Sequence, residues 1–375
     1  MGSSTGTEHK RPGQGSSGRP QHRAGLPRAP RFKRRPGLID VRPVLGSDAG
    51  PIVASMTVDA LRRGRPAHPA VAHSMRPRLS SNRDPVIAAR LGLAASLGMF
   101  GLIVIGSVVR TTGSGLACPD WPLCQGKLIP PFEFHVLIEW LHRAAALLVS
   151  LLVTGLAGWV LARRELRATL GGLAALALVL LFSQVLLGAL TVWKLLSPTV
   201  VSGHLAIALL LFSCTLIITA IAETQSSPPA VPAATGLTYA QAVLGGMVSS
   251  SHAGLACPDW PTCNGEWFPP LAGLEGLQML HRYGAYAVTA AMVTAAVMAR
   301  SAPDPGIRAG ASTALALNVA QVVLGVSNVL LGTPPWLSAA HLATAAAMLA
   351  LLVLTTYRVA SLPAREARLV AAPAP

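Results

Sequence analysis

Charged residues are scarce in this 375-residue chain. Asp, Glu, Lys and Arg make up 12% of the sequence, roughly half of their share in soluble globular proteins. Aromatic residues are also few, at 5%, whereas apolar residues make up 52%. The shortage of charge excludes a water-soluble enzyme. The chain is long enough for several membrane-spanning segments of about 20 apolar residues each.

Acidic residues are fewer than basic ones, and the excess of basic residues lies mostly at the N-terminus. Residues 1–90 carry 17 of the 30 Lys and Arg but only 5 of the 15 Asp and Glu, a net charge of +12 out of +15. The remainder carries a net +3, which argues against a nucleic-acid-binding protein. Residues 1–85 are rich in Gly, Pro, Ser and Arg without an apolar period, so we expect a disordered basic tail beside an anionic membrane face. The sequence leaves open whether translation starts at Met1 or Met75.

Eight apolar segments follow this tail at regular intervals. Each is about as long as a helix needs to cross the hydrocarbon layer, and Pro and Gly clusters separate them. The fifth is the weakest, because it is short and ends in three serines. The predicted spans are residues 88–109, 137–161, 168–193, 199–222, 233–251, 275–299, 308–331 and 336–357.

The distribution of basic residues predicts the orientation in the membrane. With eight spans both termini lie on one side, and that side collects 25 Lys and Arg against 5 on the other. Cytoplasmic loops are enriched in Lys and Arg. We therefore expect a multi-pass protein of the cell (inner) membrane with both termini in the cytoplasm.

The second half of the chain repeats the first. The segment Gly-Leu-Ala-Cys-Pro-Asp-Trp-Pro-x-Cys begins at Gly115 and recurs 139 residues later at Gly254. Leu141-His-Arg recurs at the same offset, and Gln184-Val-x-Leu-Gly recurs at an offset of 137. Several matches in one order indicate a duplicated four-helix unit, and we predict an all-α membrane protein of two tandem pseudo-symmetric four-helix bundles. The predicted domains are residues 1–85 (tail), 86–224 (first bundle), 225–358 (second bundle) and 359–375 (cytoplasmic tail).

Four of the ten histidines lie inside predicted spans, on the second and fourth helices of each bundle. All four lie about 8 Å from the outer helix ends, at 1.5 Å per residue. A single histidine in a span usually makes a helix–helix hydrogen bond, but two pairs at matching places suit the two axial positions of a haem iron. Zinc fits less well, since it would need four ligands. The predicted metal ligands are His142, His204, His281 and His341.

An acidic residue accompanies only the first of these pairs. Glu139 lies three residues before His142 on the same helix face, and the matching residue before His281 is Gln278. A buried carboxylate near a metal can exchange protons or orient a water. We therefore expect the first half to be reactive and the second to store haem or relay electrons. The alternative is that Glu139 only complements the helix dipole.

An arginine directly follows one histidine in each half, at Arg143 and Arg282. A guanidinium at this place is suited to pair with a haem propionate. Snorkelling of the side chain toward the membrane surface explains the same placement equally well.

Four of the five cysteines form two pairs in the loops predicted to face outward. The outer compartment is oxidising, so we expect a disulfide in each loop. The pairs are either structural staples that shape a lid over the haem or redox-active pairs that exchange electrons with a thiol donor. Cys214 lies inside a span and is interpreted as an inert small apolar residue. The paired residues are Cys118 with Cys124 and Cys257 with Cys263.

In combination, these features resemble the haem A synthase family over residues 88–358. The resemblance implies eight transmembrane helices and an oxidoreductase that oxidises the C8 methyl group of haem O to a formyl group by successive hydroxylations, giving haem A for cytochrome c oxidase. It rests on Gly113-Ser-Gly-Leu-Ala-Cys118 with Cys124, Glu139-Trp-Leu-His142-Arg143, His204, His281-Arg282 and His341.

The same resemblance implies roles for residues and partners. Glu139 matches the family's essential carboxylate, and Cys118 and Cys124 match its first-loop pair. Haem O synthase and cytochrome c oxidase assembly factors become expected partners, together with an electron acceptor that the sequence does not identify. A homo-oligomer stays open. The histidines divide into ligands of the substrate haem O, His142 and His204, and ligands of a haem b cofactor, His281 and His341.

Two other functions share part of this pattern. A diheme b-type transmembrane electron carrier without a substrate would use the same four histidines. It would not need a carboxylate in one half only, and it would tend to place its haems near opposite membrane faces. A membrane thiol oxidoreductase built on the loop cysteines would leave the four histidines without a role.

Overall fold

The computed structural model describes residues 83–131, 133–224 and 233–371, with side chains up to residue 361. These residues form helices joined by loops, which confirms the all-α class. The predicted basic tail lies almost entirely outside the described residues. The α-helices are α1 (Asp84–Thr111), α2 (Phe134–Ala162), α3 (Arg164–Trp193), α4 (Pro198–Thr224), α5 (Ala233–Ser250), α6 (Gly273–Ala299), α7 (Pro305–Leu330) and α8 (Pro335–Ala371), with a 3-10 turn at Ala253–Leu255.

Three helices begin with a proline, at Pro198, Pro305 and Pro335. The first backbone N–H of a helix has no partner within the helix, so its absence in proline costs nothing there. At α7 the carboxylate of Asp304 also accepts the backbone N–H of Gly306 at 2.6 Å. At the other end of the chain, α8 continues to residue 371, well past the predicted end of the last span. Most of the predicted cytoplasmic tail is therefore helical, since its Ala, Arg, Glu and Leu residues favour helix.

Six of the described helices are long and apolar enough to cross a membrane: α1 to α4, α7 and α8. The chain is therefore a multi-pass membrane protein. Helix α5 is shorter, at 18 residues, and contains Gln241, whereas α6 carries Gln278, His281 and Arg282. These polar side chains lower the apolarity of both helices, so spans five and six stay predictions.

The four helices of each half of the duplicated chain contact one another in the same pattern. Helices α1 and α3 each contact α2 and α4, and α5 and α7 each contact α6 and α8. The two sets meet where α4 packs against α5 and α8 and where α1 packs against α8. The larger apolar core lies among α1 to α4 and extends onto α8 through Leu349 and Val353.

Polar contacts join helices inside this apolar core. Without a hydrophobic force between helices in lipid, small hydroxyl residues that hydrogen-bond across helices contribute to their association. Large apolar side chains such as Leu147 and Phe182 are exposed on the outside, as a lipid-facing surface requires. The hydroxyl pairs are Ser96 with Thr215 at 3.0 Å, Ser202 with Ser250 at 2.9 Å and Thr235 with Thr356 at 2.9 Å.

Candidate functional site

The four span histidines lie near the starts of the even-numbered helices. His142 and His281 are the ninth residues of α2 and α6, and His204 and His341 are the seventh residues of α4 and α8. At 1.5 Å per residue these positions are about 12 Å and 9 Å from the helix starts. They lie further from the helix starts than the sequence indicated, because the helices begin before their apolar segments do.

Each histidine ring packs against a glycine of the preceding helix. A Cβ atom added to that glycine would lie 3.1 Å from Cε1 of His142, 3.3 Å from that of His204 and 2.9 Å from those of His281 and His341. These distances are shorter than ordinary van der Waals contacts, so a side chain at any of the four positions would require the ring or the helix to shift. The glycines are, in chain order, Gly106, Gly188, Gly245 and Gly325.

The fold brings His281 and His341 together. Their ring centres are 6.5 Å apart, and the ring planes are at 76° to each other. A metal–imidazole bond is about 2 Å long, so imidazoles on opposite sides of one ion have ring centres roughly 6 Å apart. The observed spacing fits an ion held between the two rings. In the first half, His142 and His204 are close enough to interact electrostatically.

Glutamines of α3 and α7 contact the second histidine of each half. The amide nitrogens of Gln184 and Gln321 lie 3.2 Å and 3.3 Å from the Nε2 atoms of His204 and His341. Both glutamines begin the repeated Gln-Val-x-Leu-Gly segment, and its glycine packs on the same ring. In each half, the repeated segment therefore supplies both a glutamine and a glycine that contact the second histidine.

Unpaired ring nitrogens also suit a metal. The Nδ1 atoms of His142, His204 and His341 are buried without a hydrogen-bond partner among the described residues, whereas buried polar atoms are normally paired. In the part of the chain that the structure describes, no group of three or more His, Cys, Asp or Glu side chains is placed to hold a metal ion. Each half thus offers two imidazoles, a donor pair that would suit the iron of a haem.

Glu139 is 4% exposed, and both of its carboxylate oxygens accept hydrogen bonds. Oε2 accepts the backbone N–H of Cys118 at 2.8 Å, and Oε1 accepts Nη2 of Arg143 at 2.6 Å. Bonds of this charge-assisted kind are short and strong. They connect the first cysteine-containing loop to α2, one turn before His142. An interaction with the helix dipole alone does not account for this burial.

Gln278 occupies the matching place in the second half. It is also 4% exposed, and its amide nitrogen donates to the backbone oxygen of Gly254 at 3.3 Å. Its Oε1 has no partner among the described residues. The two halves thus have the same burial at this position but differ in charge.

Both arginines bind the cysteine-containing loops. Arg143 donates to three backbone oxygens of loop 1 (residues 112–133), at 2.7 Å for Cys118, 2.6 Å for Asp120 and a shorter contact for Leu123. Arg282 donates to two backbone oxygens of loop 2 (residues 251–272), at 2.5 and 2.7 Å. Sequence reasoning did not find these contacts, and the pairing with haem propionates stays a prediction.

The two loops share a cysteine pair and an aspartate that accepts backbone N–H groups. In each, the two cysteines lie at disulfide-bond distance, with Cα atoms 4.6 Å apart. The carboxylate of Asp120 accepts the backbone N–H groups of Gln125 and Gly126 at 2.6 and 2.8 Å. Asp259 makes the matching contacts in loop 2 and accepts a further hydrogen bond from the hydroxyl of Thr262 at 2.5 Å. Each loop is thus closed by a cysteine pair, an aspartate and an arginine.

These hydrogen bonds favour the ionised aspartates. The backbone amide of Gly126 lowers the pKa of Asp120. The hydroxyl of Thr262 and then the amide of Gly265 hold the pKa of Asp259 far below its usual range. Both carboxylates are therefore charged at neutral pH, when they accept these bonds most strongly.

Sequence reasoning missed the glycines that contact the histidines, although a signal was present. Gly188 was part of a repeated segment, but the repeat alone does not say which residue it touches. Gly106 and Gly245 are related by the same offset of 139 that relates the loops. A glycine repeated at a helical position indicates a close approach, and here the approaching group is an imidazole.

Comparison with known proteins identifies relatives. The chain matches the family model described as cytochrome oxidase assembly protein (COX15-CtaA) over residues 89–135 and 131–353. A protein named Heme A synthase from Symbiobacterium thermophilum is 32% identical over 254 residues, which cover 63% of this chain and 83% of the relative. A protein of the same name from Shouchella clausii is 33% identical over 52% of this chain and 70% of its own. A third, from Shewanella oneidensis, is 28% identical over 68% and 92%.

Proposed function

The chain belongs to the COX15-CtaA family of cytochrome oxidase assembly proteins, and from this premise we propose that it is a haem A synthase, a membrane enzyme that converts haem O to haem A. The names of its relatives support this role. We propose further that the C8 methyl group of haem O is oxidised to a formyl group by successive hydroxylations. The enzyme is then an oxidoreductase whose product serves cytochrome c oxidase.

The observation that carries this proposal is the chemical difference at one matching position of the two halves. Glu139 is buried one turn before His142 on α2, and neutral Gln278 has the same burial one turn before His281 on α6. A diheme electron carrier without a substrate would gain nothing from one buried carboxylate. An enzyme with one reacting haem and one resident haem needs proton chemistry on one side only.

The proposed roles of the histidines follow this division. His142 and His204 hold and orient the substrate haem O, while His281 and His341 hold a resident haem b. Haem supplies the one-electron and oxygen chemistry that side chains lack. The glycines that contact the four rings allow each helix pair to approach closely enough for an imidazole to be held in one orientation.

Glu139 and loop 1 act on the substrate side. We propose that the carboxylate of Glu139 holds and transfers protons while the methyl group is oxidised. Arg143 binds this carboxylate and three backbone oxygens of loop 1, so it keeps the loop against α2 and helps to exclude water. Cys118 and Cys124 either staple this loop or exchange electrons, and both roles are compatible with its geometry.

The proposed membrane arrangement has eight spans in two four-helix bundles. Helices α5 and α6 are the two that composition alone does not support. They contact each other, and they also pack against α4, α7 and α8, which supports their insertion beside the other six. The excess of Lys and Arg on one side, 25 against 5, supports the cell membrane with both termini in the cytoplasm.

Haem extraction from the purified full chain tests the proposal. In a host that makes haem O, we expect the wild-type protein to yield haems B, O and A on chromatography. Glu139→Gln should yield haems B and O without A, because Gln278 shows that this fold accommodates an amide there. Glu275→Gln, an exposed carboxylate in the first turn of α6, is the matched control and should behave as the wild type.

Two results would contradict the proposal. Haem O without haem A from the wild-type protein would remove the haem A synthase assignment. A wild-type yield of haem A from Glu139→Gln would remove the role of the carboxylate and leave the assignment standing on the family alone.

A further inference from the structure

Each cysteine-containing loop carries two adjacent, large apolar side chains that stay exposed. Leu128 and Ile129 of loop 1 are 79% and 65% exposed, and Trp267 and Phe268 of loop 2 are 60% and 86% exposed. The two apolar dipeptides are related by the same offset of 139 that relates the loops. Single exposed apolar residues are common, whereas adjoining ones at matching places in both halves indicate an interaction surface.

The apolar dipeptides lie beside helices α2 and α6 rather than beyond their ends. Nε1 of Trp140 donates to the backbone oxygen of Leu128 at 2.7 Å, and the hydroxyl of Tyr283 donates to that of Trp267 at 2.8 Å. Trp140 is the seventh residue of α2 and Tyr283 the eleventh of α6. The ring of Phe268 also contacts that of Tyr283, with the ring centres 6.3 Å apart. Each loop therefore runs along the first turns of the helix that follows it.

The backbone after each apolar dipeptide is suited to surroundings with little water. Residues 130–131 and 269–270 are prolines, which have no N–H group to leave unpaired. The carbonyl oxygen of the second proline in each pair accepts a backbone N–H, from Glu133 at 3.0 Å and from Ala272 at 2.8 Å. Unpaired backbone groups are costly in lipid, and both loops limit their number in the same way.

Polar residues directly precede each apolar dipeptide. They are residues 125–127 in loop 1 (Gln-Gly-Lys) and 264–266 in loop 2 (Asn-Gly-Glu), and all six are exposed. The helices beside the dipeptides also expose leucines, Leu141 on α2 and Leu280 on α6. Each loop thus changes from polar to apolar within one residue, as a segment does that passes from water into a bilayer.

We propose that the two apolar dipeptides are membrane anchors, seated in the interfacial region of the leaflet in which α2 and α6 begin. Aromatic side chains favour this region, and burial of apolar area drives the binding. The bilayer is the partner because the dipeptides lie beside helices with different neighbours. Helix α2 packs on α1 and α3, and α6 packs on α5 and α7, so a bilayer covers both sites at once.

The anchoring goes beyond the proposed function and does not depend on haem chemistry. For loop 2 it rests on the proposed insertion of α6, whereas α2 is apolar enough to span by composition alone. Lipid then holds each loop against its helix together with the bonds from Arg143 and Arg282.

The test uses the full chain in lipid nanodiscs with one nitroxide label, attached at Leu128→Cys or Phe268→Cys in a Cys214→Ala background. Lys127→Cys and Glu266→Cys, from the polar residues of the same loops, are the matched controls. Power-saturation EPR compares collisions of the label with oxygen, which dissolves in lipid, and with a water-soluble nickel chelate.

We expect the labels at residues 128 and 268 to collide more with oxygen and the control labels to collide more with the nickel chelate. A second readout needs no label. Lipids brominated near the headgroup end of their acyl chains should quench a larger fraction of the fluorescence of the wild-type protein than of Trp267→Leu.

Two results would overturn the anchoring. The first is equal access of the nickel chelate to the dipeptide and control labels, which indicates loops in water. The second is protection of the dipeptide labels from both reagents, which indicates a protein partner or a second copy of this chain. A label at Val293→Cys, an exposed position farther along α6, separates the two questions. Access of the nickel chelate at this position would refute the insertion of α6 and leave the anchoring of loop 1 standing on its own labels.

Discussion

Replacing Gly325 by alanine is expected to weaken haem binding in the second half. The new Cβ would lie 2.9 Å from Cε1 of His341, which is 0.5 Å shorter than the shortest ordinary van der Waals contact of 3.4 Å. Either the ring or helix α7 must therefore move. Overpacking of a well-packed site costs about 1–3 kcal/mol. With a factor of ten for each 1.4 kcal/mol, this corresponds to roughly 5- to 150-fold weaker binding.

The four glycines provide an internal scale for this effect. Alanine at Gly245 or Gly325 would approach the imidazole to 2.9 Å, at Gly106 to 3.1 Å and at Gly188 to 3.3 Å. Because repulsion rises steeply with overlap, the loss should be largest at the first two positions and smallest at Gly188. A role of these glycines in helix flexibility alone would not produce this order.

The assay is haem content per protein together with the absorption and EPR spectra of the low-spin iron. Gly236→Ala is the control, since an added Cβ has open space there. We expect Gly325→Ala to lose most of the haem or to show a shifted low-spin signal. Full haem content with the spectrum of the control would refute the close approach of glycine and imidazole as a requirement of the site.

Three further predictions concern the loops. Arg143→Ala should release loop 1 and speed its amide hydrogen exchange several-fold by mass spectrometry, whereas Lys127→Ala should not; equal protection in both would contradict the bridging role. The lowered pKa of Asp259 means that its contacts stabilise loop 2 fully above the unfolded value of about 3.9, and this stabilisation is lost as the pH falls through the lower folded value. The protection of loop 2 amides, measured against their intrinsic exchange rates at each pH, should therefore fall in acid, and Asp259→Asn should remove that dependence. Cys118→Ser should reduce haem A yield less than Arg143→Ala does, because the arginine and aspartate contacts remain; complete loss of yield with a protected loop would indicate a redox-active pair.

Much of the candidate site could be predicted from the sequence because the chain is duplicated. A histidine inside an apolar segment has several explanations, but two pairs at matching positions have few. The same comparison located the difference between Glu139 and Gln278, since the Leu-His-Arg segment that follows two residues later is identical in both halves. Composition alone excluded a soluble protein, and the shortage of charge agrees with the six apolar helices.

The sequence by itself determined the helical class, the repeat, the four histidines and the cysteine pairs, because these depend on residue type and spacing along one chain. Only the tertiary structure decided which groups touch. Glycines on odd-numbered helices contact histidines on even-numbered ones, and Arg143 and Arg282 hold loop carbonyls. Gln241 contacts His281 through space that Gly284 leaves. Such contacts depend on how each helix is rotated and how closely it approaches its neighbour, and neither quantity is encoded in the periodicity of a single segment.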